Sequence, residues 1–205
     1  MLNIHARAAV SRSLTPLGTA LARVGVTPDA ITVLGTVGTV ASAAAFLSRG
    51  WFVLGTALIT FFVLLDIVDG AVARAGGRGS VFGAVLDSSC DRIADAAIFG
   101  ALVWYYAEHG QRWMLLAALL CLVLGSLTSY IRARAEAAGL NATVGIAERA
   151  ERLIVVLLGT ALAGLGVPYV LAVALWLLVA ASAITVAQRI ATVYTQTRER
   201  QKVEA

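Results

Sequence analysis

Six stretches of this sequence are long and apolar enough to cross a lipid bilayer, for which a helix needs about 20 residues. Their approximate limits are 28–48, 51–74, 81–106, 113–135, 151–166 and 168–189. Only the Gly-Val-Pro at 166–168 separates the last two, so one long interrupted helix is an alternative there. Hydrophobic residues make up 60% of the chain and charged residues 14%, whereas soluble domains carry about 25% charged residues. We therefore expect an all-α integral membrane protein with six transmembrane helices, whose partners include membrane lipid and no nucleic acid.

The basic residues predict how these helices are oriented. Six crossings place both termini on the same side of the membrane. Of the 16 Lys and Arg residues, only Arg49 and Arg112 fall at the opposite face. Because basic residues concentrate on the cytoplasmic side of membrane proteins, we expect a multi-pass protein of the cell membrane with both termini in the cytoplasm.

The two ends of the chain differ from the apolar segments between them. Residues 1–25 place apolar side chains at near-helical spacing with arginines between them, and they lack the apolar core and cleavage site of a signal peptide. This pattern predicts an amphipathic helix lying in the membrane interface. Residues 190–205 form a polar C-terminal tail, which is expected to fray from Tyr194 onward. The sequence thus predicts a single membrane domain over 1–205, with a six-helix bundle over 28–189.

The aspartates indicate where the chemistry lies. All six lie between residues 29 and 95, and five of them are inside apolar segments: Asp66, Asp69, Asp87, Asp91 and Asp95. An ionisable group within a membrane helix is costly and is by default a candidate functional residue. The first two are three residues apart and the next two are four apart, so each pair shares one helix face. A short glycine-rich connection at 75–80 makes the two helices antiparallel neighbours, which brings the four carboxylates to one depth near the cytoplasmic surface.

Four carboxylates cannot all stay ionised in a medium of low dielectric constant unless cations offset their charge. Hard divalent ions take oxygen ligands, and Mg²⁺ in particular binds a few carboxylates together with phosphate oxygens. The alternative is that the aspartates pair with Arg74 and Arg92 and only stabilise helix packing. We favour a metal site, since four converging acids exceed two candidate cations.

The same residues resemble a known family. Asp66-x-x-Asp69-Gly70-x-x-Ala73-Arg74, eight residues, Gly83, three residues, Asp87, three residues and Asp91 is similar to the complete signature of the CDP-alcohol phosphotransferases. The six-helix layout is similar as well. The resemblance implies two metal ions, Mg²⁺ with Mn²⁺ as an option, and a homodimer. It further implies that Asp66 and Asp87 bridge the ions, that Asp69 completes one site and Asp91 the other, and that Asp91 is also the general base.

The reaction that this family carries out suits these residue types. Transfer of a phosphatidyl group from CDP-diacylglycerol to an alcohol releases CMP, so charge must be stabilised on the attacking and leaving oxygens, as a pair of metal ions does. A carboxylate within reach of the acceptor hydroxyl can take its proton. Asp91 is the deepest of the four signature acids and is therefore best placed for that role.

Further residues are candidates for binding CDP-diacylglycerol. Arg74 and the Ser80 hydroxyl can hold the diphosphate, and Gly70 allows a helix or a ligand to approach closely. Asp29 and Thr32 resemble the family's nucleotide contact at the start of the first crossing. Asp29 could instead cap that helix next to Pro28, and the two roles are compatible.

Four arginines near the acids are candidates for the acceptor site: Arg132, Arg149, Arg152 and Arg189. Bidentate guanidinium groups recognise phosphate well, so we expect the acceptor to carry a phosphate. The alternative is the positive-inside bias together with helical ion pairs between Arg132 and Glu136 and between Glu148 and Arg152. This stretch and the last helix resemble the actinobacterial phosphatidylinositol phosphate synthases, which implies inositol phosphate as the acceptor and phosphatidylinositol phosphate as the product.

Two other functions remain open. A basic pocket also suits glycerol-3-phosphate, which would make the protein a phosphatidylglycerophosphate synthase. A divalent-cation transporter could use the same acids as its ion site. Against a transporter, the acids are predicted near one membrane face rather than at the midplane, where transporters bind their substrates.

Overall fold

The computed structural model describes residues 27–75 and 80–204, and for 66–75 and 203–204 it describes the backbone alone. The interfacial helix predicted for residues 1–25 lies outside this part of the chain. The described residues are helical apart from short connections, and they contain no strand. The prediction of an all-α protein is confirmed.

Six helices correspond one for one to the six predicted apolar segments. They are α1 (Pro28–Ala45), α2 (Phe52–Ala75), α3 (Val81–Glu108), α4 (Arg112–Ala137), α5 (Arg149–Gly164) and α6 (Val170–Glu204). Within the described residues, three segments have the length and composition of membrane-spanning helices: Pro28–Arg49, Arg112–Ala137 and Val170–Lys202. The apolar part of α2, Phe52–Leu65, is shorter. These segments support a membrane protein.

Local side-chain contacts determine where α1 and α3 begin. The hydroxyl of Thr27 accepts a hydrogen bond from the amide of Ala30 at 3.3 Å, and Pro28 follows in the first turn. The cap of α1 is therefore Thr27 and not Asp29, which lies in the first turn, where a carboxylate complements the helix dipole. Ser80 caps α3 by accepting from the amide of Gly83 at 2.8 Å. Since α2 ends at Ala75 and α3 begins at Val81, the short connection predicted between them is confirmed.

The end of the chain differs from the prediction in one respect. Between α5 and α6 the backbone takes left-handed conformations at Gly166 (φ 87°) and Tyr169 (φ 59°), so the two segments are separate helices. The polar tail over 190–205, expected to fray from Tyr194 onward, is instead helical and continues α6 to Glu204. Its polar side chains have partners in the preceding loop, because Gln196 donates to the carbonyl of Asn141 at 2.6 Å. These contacts stabilise a segment that composition alone marks as solvated.

The helices pack in a closed sequence of neighbours. α1 contacts α2 and α3, α3 contacts α4, α4 contacts α6, α6 contacts α5, and α5 contacts α2. The core that they enclose includes the fully buried Leu47, Ile59, Phe99, Leu102 and Leu175. A buried hydroxyl pair, Thr56 and Thr160 at 2.7 Å, joins α2 to α5. Side chains from α3 and α5 meet inside this arrangement, which is where the predicted acids and arginines come together.

Candidate active site

Three aspartates follow one face of α3 at intervals of four residues. Asp87 is exposed, whereas the side chains of Asp91 and Asp95 are 20% and 10% exposed. Side chains four residues apart on a helix lie above one another. The acids therefore form a row that leads from the surface toward the core, with Asp95 as its innermost member.

Arg149 joins α5 to two members of this row. It is the first residue of α5, and its Nη1 lies 2.7 Å from Oδ1 of Asp91. Its Nε donates to Oδ1 of Asp95 at 3.3 Å. One guanidinium group thus contacts the carboxylate predicted to be the base and the carboxylate one turn further in.

Arg152 lies one turn along α5 and is only 2% exposed. Its Nη2 donates to Oδ2 of Asp95 at 3.2 Å, and its Nη1 donates to the hydroxyl of Thr128 at 3.3 Å and to the carbonyl of Ala147 at 3.0 Å. A Cβ atom on Gly125 would lie 3.2 Å from Nε of Arg152. Gly125 therefore leaves the space in which this buried guanidinium group lies against α4.

Arg189 approaches the same place from α6. Its Nη1 donates to the carbonyl of Thr128 at 2.5 Å, and its Nε donates to the carbonyl of Val144 at 2.9 Å. Its side chain is 4% exposed, with Glu148 at 3.9 Å. Thr128 thus contacts Arg152 through its hydroxyl and Arg189 through its carbonyl, so three helices meet at this residue.

Arg132 differs from the other three candidates for the acceptor site. Its side chain is 45% exposed, and its Nε lies 2.8 Å from Oε1 of Glu136 on the same helix. This is the local ion pair that the alternative interpretation predicted. The other predicted local pair, between Glu148 and Arg152, is replaced: Arg152 bonds to Asp95, and Glu148 lies near Arg189. The structure therefore brings Arg149, Arg152 and Arg189 into the network around Asp95 and Thr128 and leaves Arg132 at its exposed edge.

The loop between α4 and α5 supplies backbone groups to this network. The hydroxyl of Thr185 on α6 accepts from the amides of Ile146 at 3.2 Å and Ala147 at 3.1 Å. Further along α6, Gln196 pairs with the backbone of Asn141, and Arg200 bonds to the carbonyl of Gly139. Because these contacts fix the loop, the carbonyl of Ala147 is held in place for Arg152.

The carboxylates suit a divalent ion in their chemistry. Asp87 and Asp91 supply oxygen donors one turn apart on α3, and Asp66 and Asp69 are three residues apart within α2, although their side chains lie outside the described part of the chain. Among the side chains that the structure describes, no three His, Cys, Asp or Glu residues form a metal-binding group. Oxygen donors of this kind are what Mg²⁺ and Mn²⁺ bind. The residues present therefore fit such an ion.

A narrow cleft at Asp91 shows which helices surround the row of acids. It is lined from α1 by Gly35, Thr36 and Thr39, from α2 by Phe62 and Val63, from α3 by Cys90, Asp91 and Ala94, and from α5 by Arg149. A Cβ atom on Gly35 would lie 3.1 Å from the carbonyl of Phe62. α1 and α2 therefore pack closely beside the acidic face of α3.

The residues predicted to bind the nucleotide whose side chains the structure describes come from two separate segments that meet. Oδ1 of Asp29 lies 3.3 Å from the position that a Cβ atom on Gly83 would take, and Oγ of Ser80 lies 3.1 Å from it. Thr32 is buried one turn after Pro28, to whose carbonyl its hydroxyl donates at 3.2 Å. The structure thus places Asp29 beside the start of α3. For Gly70 and Arg74 the structure describes the backbone alone, so the predicted contacts of these two residues lie outside the described part of the chain.

Three members of the network are not among the predicted site residues, although Asp95 was noted among the acids of the apolar segments and Arg92 as an alternative partner of the aspartates. Asp95 accepts from two arginines, Thr128 contacts two, and Arg92 lies 3.8 Å from Asp95 and 3.9 Å from Asp91. The spacing of Asp95, four residues after Asp91, was the available signal for its place on the same face. The contacts of Thr128 depend on α5 and α6, and local sequence gives no sign of them.

Comparison with known proteins identifies the family. The family model for CDP-alcohol phosphatidyltransferases matches residues 25–197. The chain belongs to the CDP-alcohol phosphatidyltransferase family. The chain is also 48% identical over 193 residues to the phosphatidylinositol phosphate synthase of Mycobacterium marinum, a match that covers 92% of this chain and 82% of that protein.

Two solved structures are similar to this CDP-alcohol phosphatidyltransferase over most of its length. The first is the phosphatidylinositol phosphate synthase of Mycobacterium tuberculosis with CDP-diacylglycerol bound, with 47% identity, a TM-score of 0.86, and coverage of 90% of this chain and 94% of the other. The second is the same enzyme in complex with manganese and citrate, with 46% identity, a TM-score of 0.85, and coverage of 89% of each chain. The predicted family, and the likeness to actinobacterial enzymes, are confirmed.

Proposed function

We propose that this protein transfers the phosphatidyl group of CDP-diacylglycerol to inositol phosphate, which yields phosphatidylinositol phosphate and CMP. The observation that carries the proposal is the contact between Arg149 and Asp91 at 2.7 Å. It joins the arginine-bearing start of α5, which suits a phosphorylated acceptor, to the α3 carboxylate assigned to catalysis. The likeness to phosphatidylinositol phosphate synthases over nine-tenths of the chain supports the same acceptor.

Asp66, Asp69, Asp87 and Asp91 would hold two divalent ions, with Mg²⁺ as the expected metal and Mn²⁺ as a substitute. Support comes from their signature spacing, from the oxygen donors on α3, and from the manganese complex of a similar enzyme. When bound, such ions offset negative charge on the phosphate oxygens.

Asp91 is the proposed general base, which accepts the proton of the attacking hydroxyl of the acceptor. Its place on the row, between the exposed Asp87 and the buried Asp95, puts it next to the arginines of α5. Donor binding is assigned to Asp29, Thr32 and Ser80, together with Gly70 and Arg74 of α2. The proximity of Asp29 to the start of α3 supports this assignment, because it joins the two segments that would contact one nucleotide.

Arg132, Arg149, Arg152 and Arg189 are the proposed ligands of the acceptor phosphate. Their shared network supports this role for Arg149, Arg152 and Arg189. Arg132 would complete the site from its exposed edge by giving up its ion pair with Glu136 and binding the acceptor phosphate instead. Charge-assisted hydrogen bonds to a phosphate are stronger than those of a solvated ion pair, so this exchange is favourable when the acceptor binds.

We also propose the arrangement of the chain in the cell membrane. All six helices cross it, the active site and both termini face the cytoplasm, residues 1–25 lie in the interface, and the protein forms a homodimer. The arrangement includes a single domain over 1–205, which the closed packing of the described helices supports. Many exposed apolar side chains, such as Phe61, Trp104, Trp113 and Leu177, are suited to contact with lipid or with a second subunit.

A panel of acceptors tests the proposed reaction. Purified protein in detergent is given labelled CDP-diacylglycerol with inositol phosphate, free inositol, glycerol-3-phosphate or serine, and both CMP release and lipid product are measured. We expect product only, or by far the most, with inositol phosphate. A preference for glycerol-3-phosphate would make the protein a phosphatidylglycerophosphate synthase instead. No CMP release with any acceptor would favour a cation transporter, which metal uptake into vesicles would then show.

A further inference from the structure

Asp95 is the most buried acid of the row on α3, and three arginines lie near its carboxylate. Arg149 and Arg152 donate to it at 3.3 and 3.2 Å, and Arg92 lies at 3.8 Å. Burial of a charge is costly unless it is paired and hydrogen-bonded, so this carboxylate is stabilised by its arginines and they by it. Asp95 lies outside the signature that defines the metal ligands, and its function therefore needs a separate explanation.

Arg149 is shared between Asp95 and Asp91. A divalent ion bound to Asp91 repels a guanidinium group that lies 2.7 Å from the same carboxylate. If Asp91 were the only anchor of Arg149, metal binding would release this arginine from the site. The second anchor at Asp95 allows Arg149 to stay close to the reacting groups while Asp91 binds metal.

We propose that Asp95 is a positioning residue that holds Arg149 and Arg152 in place for the acceptor phosphate and limits the competition of Arg149 with metal at Asp91. The proposal rests on the proposed function for its acceptor. It assigns no contact between Asp95 and either substrate or metal. Its carboxylate acts through the arginines alone.

The charges around Asp91 determine what the loss of Asp95 would do. Among the side chains that the structure describes, two carboxylates, Asp91 and Asp95, face three guanidinium groups, those of Arg92, Arg149 and Arg152. Asp95→Asn keeps the shape of the side chain but removes one negative charge. Arg149 then keeps its contact with Asp91, and Arg152 loses the carboxylate partner that it has among the described side chains. The acceptor arginines become misplaced, and the positive charge near the metal site increases.

Steady-state kinetics of Asp95→Asn test the first consequence. We expect the KM for inositol phosphate to rise about tenfold or more, as for the loss of charge-assisted hydrogen bonds. The KM for CDP-diacylglycerol should change less than about threefold. Arg92→Gln is the matched control, because it removes a cation that lies near Asp95 without a hydrogen bond, and its effect on the acceptor KM should be clearly smaller. Equal changes in both KM values for Asp95→Asn would overturn the proposal.

Direct titration with Mn²⁺, followed by the electron paramagnetic resonance signal of the free ion, tests the second consequence without turnover. Asp95→Asn should weaken Mn²⁺ binding by about threefold or more, because Arg149 then competes fully for Asp91. Adding Arg149→Gln should restore the affinity. If Asp95 served packing alone, the double variant would bind Mn²⁺ as weakly as Asp95→Asn does. That result would refute the proposal that Asp91 and Asp95 share Arg149.

Asp95 is buried, so Arg149→Lys provides a second test that leaves the carboxylate in place. One ammonium group is a point charge and cannot reproduce the two-sided contact of a guanidinium group. The acceptor KM should rise about tenfold, and a wild-type value would overturn the proposal even if Asp95→Asn does not fold. The two proposals fail in different ways. Wild-type protein that ignores inositol phosphate contradicts the proposed reaction, whereas Mn²⁺ titration still decides whether Asp91 and Asp95 share Arg149.

Discussion

The two halves of α3 are stabilised in different ways. The site half, Val81–Asp95, carries three aspartates on one face, and many of its other side chains are exposed, including Val81, Phe82 and Val85. The core half, 96–108, has Ile98, Phe99 and Leu102 at 1% exposure or less. Ion pairs with α5 hold the inner end of the site half, whereas close apolar packing holds the core half.

This difference separates stability from function along one helix. Packing in the core half fixes the position of α3 against α1 and α4. The site half extends from this packed segment and carries the three acids. Its N-terminal end remains exposed, so ligands can reach it. Changes in the two halves should therefore have opposite signatures: loss of activity in a stable protein for one, and loss of stability for the other.

The largest expected effect is loss of turnover on changing the acids of the site half. Asp87→Asn and Asp91→Asn should each reduce kcat below about a thousandth of wild type, since both remove a proposed metal ligand. Thermal unfolding in detergent should remain within a few degrees of wild type, and EDTA should abolish wild-type activity. Full activity in EDTA would exclude a metal-dependent reaction. Asp91→Asn should still bind CDP-diacylglycerol.

Phe99→Ala tests the core half. Truncation of a buried aromatic side chain costs about 3 to 5 kcal/mol of unfolding free energy, because it removes apolar contacts and leaves a cavity. Phe99 is 1% exposed, so we expect a large fall in the Tm, measured by tryptophan fluorescence in detergent. The fraction that remains folded should keep a KM for inositol phosphate close to wild type. Unchanged stability would contradict the division between the halves.

A comparison of Arg152→Gln with Arg132→Gln examines how burial affects the acceptor site. Loss of a charge-assisted hydrogen bond to a phosphate corresponds to about a ten- to a hundredfold rise in acceptor KM. We expect Arg152→Gln to raise the acceptor KM about a hundredfold or more, because this change also removes contacts to Asp95 and Thr128. Arg132→Gln should lie at the lower end, since its local pair with Glu136 must first be given up. Normal acceptor KM values for both would mean that these arginines only orient the chain.

The smallest effect is expected at the hydroxyl pair between α2 and α5. Thr56→Val leaves Thr160 without the partner that lies at 2.7 Å, and such hydrogen bonds within membranes are worth about 0.6 kcal/mol. The Tm should fall slightly, with kcat and both KM values unchanged. The double variant with Thr160→Val should lose little more than either single one. A strong loss of activity would mean that this contact transmits structure to the site.

Much of this structure could be predicted because the sequence features that determine it lie close together along the chain. Long apolar segments predicted the six helices, and the spacing of Asp87 and Asp91 placed them on one face of α3. The family was predicted from eight positions within a short stretch, and the family model confirms it. The placement of Asp66 and Asp69 relative to α3 stays a prediction.

What the sequence could not provide depends on partners distant along the chain. The choice between a local pair and a buried one for Arg152 was decided by Asp95, 57 residues earlier. The helical state of the tail depends on bonds such as that of Gln196 to Asn141, 55 residues apart. Polar composition suggested fraying because a polar segment buries little apolar surface to offset the entropy of ordering it. Composition does not show the hydrogen bonds to the loop that offset this cost.

The length of α6 has a consequence for where the loop between α4 and α5 lies in the proposed membrane arrangement. The helix has 35 residues, which at a rise of about 1.5 Å per residue gives about 52 Å. Only about 30 Å of this lies within the hydrocarbon of a bilayer. In the arrangement proposed above, the remaining turns extend beyond the hydrocarbon, where Gln196 and Arg200 bond to residues 139–141 of the loop between α4 and α5. In that arrangement the length of α6 holds this loop beyond the hydrocarbon, where a water-soluble acceptor phosphate can reach the proposed arginines while the lipid donor stays in the bilayer.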